Sequence, residues 1–327
     1  MAGGEAAVEP TSLVSVVIPV HNGGRTVARA IESALAQLYP AVEVVVADDG
    51  STDDTREVVG RYAGAVRVVE QPNRGAAAAR NLGFRAARGE FVAFLDADDE
   101  FLPGRIEQGV APMAADASVC ATFCRLYREY QDGRRDIYGD AYKRCRAFPE
   151  HLWPSSHVQT SGAICRRTAV ERVGPFDESL RSHDDLDLWI RIAETCRVVE
   201  IAEPLAVFHD TPGSYSKTWD GARSEADYYR VIERALARCP ERYGPVRDVI
   251  TADAHLHWGI LYLVRGDHAR ARSFLRRSIR TVPTATAVAL LAAAWLPHRP
   301  LGAALKTLKL VLSRGGVRPR AAGGERP

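Results

Sequence analysis

Three aspartates fall within four residues at Asp96-Ala97-Asp98-Asp99, directly after the apolar run Phe91 to Leu95. Carboxylates so close together repel one another unless a proton or a cation intervenes. A hard divalent ion such as Mg2+ or Mn2+ relieves that repulsion, and magnesium is usually held by one or two carboxylates with substrate phosphates completing its shell. The cluster suits a metal–diphosphate site; a solvated turn capping the helix near Pro103 would use the same residues. Asp48-Asp49-Gly50-Ser51 follows a second apolar run. A buried carboxylate there accepts hydrogen bonds from a base or a ribose, or closes an Asx turn before a helix capped by Thr52 or Asp53. A third group, His183-Asp184-Asp185-Leu186-Asp187-Leu188-Trp189-Ile190-Arg191, opens an amphipathic segment. A helix start favours anions. Asp184 suits the N-cap, Asp187 and Arg191 stand four apart as an ion pair, and Asp185 is left to face a cleft.

The elements around these groups alternate. Leu13 to Val20, Val42 to Ala47, Val66 to Glu70 and Phe91 to Leu95 read as buried strands. Thr26 to Gln37, a segment ending near Tyr62 and an Ala-rich segment ending at Ala87 read as helices between them. Such alternation predicts a largely parallel sheet with helices on both faces. The polar clusters then lie just past strand C-termini, the edge at which open α/β sheets bind ligands. After Ile106 the pattern loosens, with short strand-like pieces at Ser118–Tyr130 and Ser161–Arg166 and a helix over Asp184 to Ala193.

Length and composition narrow the classes. The 327 residues suggest two domains, or one large domain with an appendage. A content of 46% hydrophobic and 26% charged residues is that of a folded globular chain. The 43 basic and 41 acidic residues give a formal charge of +2, which offers nucleic acid no general attraction, and no nucleic-acid partner is expected. Six cysteines without a CxxC pair exclude the common zinc-finger spacings and lead us to expect reduced, structural thiols. No signal peptide stands at the N-terminus, and no apolar stretch reaches the ~20 residues a membrane span needs; the expected location is cytoplasmic.

The ordered blocks resemble a known family. They are Val16-Val17-Ile18-Pro19-Val20-His21-Asn22, Asp48-Asp49-Gly50-Ser51-Thr52-Asp53, Asn73-Arg74-Gly75 with Ala79-Arg80-Asn81-Leu82-Gly83, Gly89 to Asp99, and Asp184 to Trp189. Over residues 13–215 the chain is similar to the family 2 glycosyltransferases of GT-A fold. The resemblance implies an α/β domain of the nucleotide-diphospho-sugar transferase type, over residues 13–220, with a nucleotide-sugar half at 13–105 and an acceptor half at 106–220. It implies a nucleotide-sugar donor, usually a UDP-sugar, and inversion at the anomeric carbon. Carried over by position, Pro19, His21 and Asn22 line the nucleotide pocket, Asp49 binds the base and Arg80 lies near it. Asp96 approaches the ribose or the metal, Asp98 ligates Mg2+ or Mn2+, Asp99 flanks the donor sugar, and Asp185 is the general base. The acceptor is then a glycan, a lipid-linked alcohol or a small molecule. The chain departs from the family where Asp184 replaces a common Glu, where His21 replaces an aromatic, and where Thr211 rather than His precedes Pro212-Gly213-Ser214, with His209 two residues earlier. His209 reads there as a surface loop histidine.

Beyond 220 the chain turns helical and Arg-rich. Within residues 250–283, Gly259, Tyr262, Gly266, Ala271, Leu275, Ser278 and Pro283 match the spacing of one tetratricopeptide-like helix pair in an extension over 221–313. Leu301, Leu305, Leu308 and Leu312 share a helical face with basic residues elsewhere, which suits packing on the preceding helix or peripheral contact with the inner face of the cell membrane through 301–314. Residues 1–12 and 314–327 read as disordered tails. Neither G-x-G-x-x-G nor a P-loop is present, which removes dehydrogenases and P-loop enzymes. The alternative to an enzyme is a scaffold with a degenerate transferase core that binds a partner through its C-terminal helices.

Overall fold

The computed structural model describes residues 12–138, 158–211 and 221–295. The chain forms two compact units, one of residues 1–138 and 158–235, the other of 139–157 and 236–327.

The first unit opens with β1 (Val14–Val20), α1 (Val27–Leu35), β2 (Val42–Asp48), α2 (Thr55–Gly60), β3 (Arg67–Glu70), α3 (Ala76–Ala86) and β4 (Phe91–Phe94). The apolar, β-branched runs form the strands because both faces are covered; every residue of β1 and β4 is buried. Then come β5 (Glu100–Phe101), α4 (Arg105–Ala115), β6 (Val119–Glu129), β7 (Arg135–Ile137), β8 (Ala163–Arg166), α5 (Arg167–Val173), α6 (Asp184–Thr195), β9 (Arg197–His209) and α7 (Gly221–Arg238). Among the described residues these strands make one nine-stranded sheet in the order β3-β2-β1-β4-β8-β6-β9-β5, with β7 paired to β6. Strands β1 to β4 are mutually parallel; β8 runs antiparallel to both β4 and β6, and β9 parallel to β6. This is a mixed sheet, parallel through β3-β2-β1-β4 and antiparallel at β8. The strand order reverses between β1 and β4, so the loops after those strands part and leave a crevice at their C-terminal ends.

Two packing features set the positions of the helices that carry the acids. Gly83 brings α3 onto the sheet: a Cβ there would stand 2.4 Å from Cγ1 of Val17 and 3.4 Å from Cβ of Ala47. Helix α6 is held by the fully buried Trp189, whose ring lies 5.4 Å from Phe123, 6.0 Å from Phe176 and 6.2 Å from Phe94. That helix runs two residues past the expected Ala193.

Cys120 and Cys196 are joined as a disulfide with Cα atoms 6.1 Å apart, which corrects the expectation of reduced thiols for this pair. The cause is the pairing of β6 with β9. It sets the residue that ends α6 beside the start of β6, a proximity hidden in a sequence separation of 76.

The second unit contains α8 (Pro240–Tyr243), α9 (Arg247–Val264), α10 (His268–Thr281) and α11 (Ala285–Ala293). Gly259 lets α10 approach α9, since a Cβ would meet Cγ of Leu275 at 2.8 Å, and Tyr262 stacks on Phe274 at 5.6 Å. Ala271, Leu275 and Ser278 are buried. The sequence division at 220 and the structural division at 235 differ by α7, whose buried residues Tyr228, Val231, Ile232 and Ala235 pack within the first unit. No helix among the described residues is long and apolar enough to cross a membrane. The leucine face at 301–314, both tails and Pro212-Gly213-Ser214 lie outside the described residues.

Replacing Gly83 with Val should lower stability by about 2 kcal/mol or more, because a well-packed core takes added volume only with strain. An unchanged urea midpoint would contradict the close approach of α3 to β1.

Candidate active site

The acidic cluster begins two residues after β4 ends, where the chain leaves the sheet. Its turn is closed by the Asp99 amide donating to the Asp96 carbonyl, 2.9 Å. Ser161, in the short turn before β8, spans it: the hydroxyl accepts from the Asp96 amide at 3.1 Å and donates to Oδ2 of Asp99. Arg105 holds that turn from behind, donating from Nη2 to the Gly162 carbonyl at 2.8 Å while fully buried. Arg29 of α1 donates to the Asp98 carbonyl at 2.7 Å. Spacing along the chain gives no sign of Ser161 or Arg29, which reach the cluster across 62 residues or more, nor of Arg105, whose contact with Gly162 spans 57.

Burial, then the neighbouring Asp96, pushes the Asp98 carboxyl up to about 6. Burial, then Asp96 and Asp98, lifts Asp99 well above the usual carboxylate range. Asp99 is 1% exposed and its Oδ1 has no partner among the described residues. It faces inward toward Ser161.

Arg80 joins two stretches of chain. From the middle of α3, its Nη2 donates to Oδ1 of Asp96 at 2.9 Å and its Nη1 to Oδ2 of Asp184 at 2.8 Å, with the Phe176 ring 5.4 Å away. Two carboxylates thus grip the guanidinium. Asp184 is correspondingly not the N-cap of α6; His183 is, in a left-handed conformation with φ 61°. Asp187 and Arg191 make the expected i,i+4 pair at 2.7 Å. Asp185 is half-buried, and its Oδ1 accepts the Leu186 amide at 2.7 Å. Burial, then Asp184, pushes its carboxyl up to about 7. Asp96 and Arg80 act on both Asp98 and Asp185. The arrangement therefore brings Asp96, Asp98, Asp184 and Asp185 into one electrostatic neighbourhood around a single buried cation.

The nucleotide-side residues divide. His21 and Asn22 are exposed at the end of β1. The His21 ring nitrogen Nε2 lies 2.9 Å from Nδ2 of Asn73, and Asn22 Oδ1 accepts the Thr52 amide at 2.7 Å. Pro19 is buried in β1 opposite Ala47, two residues past the end of its pairing with β4. It frames the edge from within the sheet. Asp49, 2% exposed, accepts from Gln71 Nε2 at 2.7 Å and from the amides of Arg74 and Gly75 at 2.9 and 2.7 Å. Three donors from the loop before α3 engage it, so its observed work is to fold that loop. His209 is not a surface histidine: its side chain is 12% exposed at the end of β9, 3.3 Å from both Glu100 and Glu129.

Among the described residues no group of three or more His, Cys, Asp or Glu side chains is arranged to hold a metal by itself. Asp98 and Asp96 form a shorter donor set, one that suits a hard cation whose remaining ligands come from phosphates and water. The repulsion between them is the observation that fits such an ion, since a divalent charge would offset it, the second cause after burial of the raised Asp98 value.

The chain is similar to known proteins in sequence and in fold. Residues 15–174 match the family described as Glycosyl transferase family 2. The chain is 30% identical over 184 residues to an uncharacterized glycosyltransferase of Rickettsia prowazekii, covering 55% of this chain and 58% of that one. It is 30% identical over 200 residues to the chondroitin synthase of Escherichia coli, covering 58% and 28% respectively. The chain thus spans less than two thirds of the length of these relatives. Among solved structures, S. aureus TarS in complex with UDP-GlcNAc has a TM-score of 0.61 at 18% identity, covering 90% of this chain and 92% of that one. The mannosyltransferase of Pyrobaculum calidifontis in complex with GDP-Man and Mn2+ has 0.59 at 22%, covering 93% and 86%. At those identities the likeness is one of fold.

The raised value of Asp185 has a consequence for stability. An aspartate in the unfolded chain titrates near 3.9, so between about pH 4 and pH 7 the folded protein keeps a proton that the unfolded chain has released. Stability contributed by this group therefore falls as pH rises through that window. Asp185→Asn should be more stable than the parent at pH 8, on the order of 1–3 kcal/mol, with the difference gone near pH 4. Urea titrations in metal-free buffer at both pH values test this; an equal difference at the two would refute it.

Proposed function

We propose that this chain, which belongs to the family 2 glycosyltransferases, moves a sugar from a nucleoside-diphosphate sugar to an acceptor hydroxyl with inversion at the anomeric carbon. The observation that carries the reading is the Arg80 bridge, which ties the acidic turn after β4 to the N-terminus of α6. The donor side and the acceptor side of such a reaction must meet at one carbon, and this bridge sets their elements together. Solved structures of like fold that hold UDP-GlcNAc and GDP-Man support a donor of this class, and the size and polarity of the exposed His21 and Asn22 suit the nucleotide at the β1 edge. UDP is the nucleotide we favour.

Asp185 takes the acceptor hydroxyl proton as that oxygen attacks the anomeric carbon from the face opposite the diphosphate. The new carbon–oxygen bond forms as the bond to the diphosphate breaks, and the diphosphate leaves with the electron pair. A base with a value near 7 is matched to this work at neutral pH, where it is partly ionised yet still basic enough to hold the proton. Asp98, with Asp96, would hold Mg2+ or Mn2+ against the diphosphate, and the bound cation supplies the charge that stabilises the departing group. Arg80 hydrogen-bonds Asp96 and Asp184, so those two carboxylates are engaged by its guanidinium while Asp185 stands outside that grip. The acceptor is a glycan, a lipid-linked alcohol or a small molecule.

Two substitutions separate the roles. Asp185→Asn should bind UDP within about threefold of the parent while turnover falls about 10²–10⁴-fold, the usual contribution of a general base. Asp98→Ala should lose the enhancement of UDP binding by Mn2+. Near-parental turnover in the first, or unchanged Mn2+-dependent calorimetry in the second, would remove the corresponding assignment.

A further inference from the structure

Helix α7 presents a buried stripe of Ser224, Asp227, Tyr228, Val231, Ile232 and Ala235 to the rest of the first unit. Asp227 is the acidic exception on that stripe, 3% exposed. A carboxylate in such a place is costly unless donors meet it. Here they are main-chain amides: Oδ2 accepts from Arg181 N at 2.9 Å and from Ser182 N at 3.3 Å, while Oδ1 lies 3.4 Å from Arg230 Nη1. The next residue is His183, the left-handed N-cap of α6, and the two after it are Asp184 and Asp185. Helix α7 also holds His183 directly. Ser224 Oγ lies 3.1 Å from the imidazole Nε2, and the Tyr228 ring stands edge-on to it at 5.1 Å. About two turns beyond Asp227, Arg234 pairs with Asp177 in the same loop.

A non-glycine residue at φ 61° is uncommon and persists where its surroundings over-determine it. On the other side of the loop, Asn81 of α3 exchanges hydrogen bonds with the main chain of Phe176, 2.9 Å to its carbonyl and 3.0 Å from its amide. The loop is thus pinned at Phe176 by α3 and at 181–183 by α7.

We infer that Asp227, with Ser224, is a positioning residue for the reaction: from α7 it fixes the left-handed entry to α6 and so sets where Asp185 stands. The inference rests on the reading of Asp185 as the base. It makes α7 part of the catalytic apparatus, although in sequence it opens the helical extension. Asp227 touches no reacting atom; it acts through the main chain of residues 181–183. An Asn at this place keeps one oxygen acceptor but loses the charge, so it should retain part of the effect.

The test compares the full chain with Asp227→Ala, Asp227→Asn and Ser224→Ala, using two readouts. The first is hydrolysis of UDP-GlcNAc with Mn2+, at a temperature at which circular dichroism shows each variant folded. Asp227→Ala should lower kcat about 30–100-fold with KM for the nucleotide sugar within about threefold, and Asp227→Asn and Ser224→Ala should fall between it and the parent. The second is amide hydrogen exchange, which needs no sugar: Asp227→Ala should speed exchange across 177–187 while β1 and β4 stay protected. Unchanged exchange in 177–187, or a kcat within threefold of the parent, would overturn the inference, as would kcat and KM moving together. The failure of the base assignment looks different. There Asp185→Asn keeps its turnover while Asp227→Ala still loosens 177–187.

Discussion

The site depends on one buried cation held between two carboxylates that come from distant parts of the chain. Asp96 and Asp184 are 88 residues apart, and each carries another aspartate close beside it in sequence. Left alone, such a group of acids would drive its segments apart or take up protons. Arg80 lies 2.8–2.9 Å from both. Asp98 and Asp185, outside its direct grip, are pushed up to about 6 and about 7, and burial raises Asp184 as well. A single guanidinium therefore ties down two of the four like groups and leaves the other two outside its hydrogen bonds.

The sheet makes this arrangement available. Because the strand order reverses between β1 and β4, the chain ends its buried run at Leu95 beside an open edge. Gly83 brings α3 close enough to the sheet for Arg80 to reach that edge from a helix. Asp49 folds the loop before α3 by collecting its amides, and Ser161 folds the acidic turn by bridging its two ends. Main-chain donors and short polar side chains thus shape the crevice, leaving the longer charged side chains to do its electrostatics.

What could be read from the sequence was what is written contiguously. The apolar runs announced the strands because burial on both faces demands unbroken hydrophobicity. The acidic groups at 48–49, 96–99 and 184–187 were visible because their members are neighbours. Contacts that close only in three dimensions left no such mark. Ser161 resembles any strand-flanking serine, Arg105 any helix arginine, and Asp227 any polar position on an Arg-rich helix. The disulfide was hidden for the same reason, its two halves being brought together by the β6–β9 pairing. His209 was misplaced because a sequence does not tell which side of a strand end faces inward. Pro19, Asp49 and Arg80 have partners in the fold, an opposing strand, a loop and two carboxylates, that a motif does not state.

The Asn81–Phe176 exchange and the Arg80–Asp184 pair both join residues 13–105 to residues 106–220, the segments we propose as the nucleotide-sugar half and the acceptor half. Both originate on adjacent positions of α3. The two halves are consequently not independent modules that recombination could shuffle at will. A chimera that imported a foreign acceptor half would need, at matching heights, a main-chain segment to satisfy the asparagine and an acid to meet the arginine. Diversification of what this scaffold accepts is thereby steered toward segments that α3 does not hold.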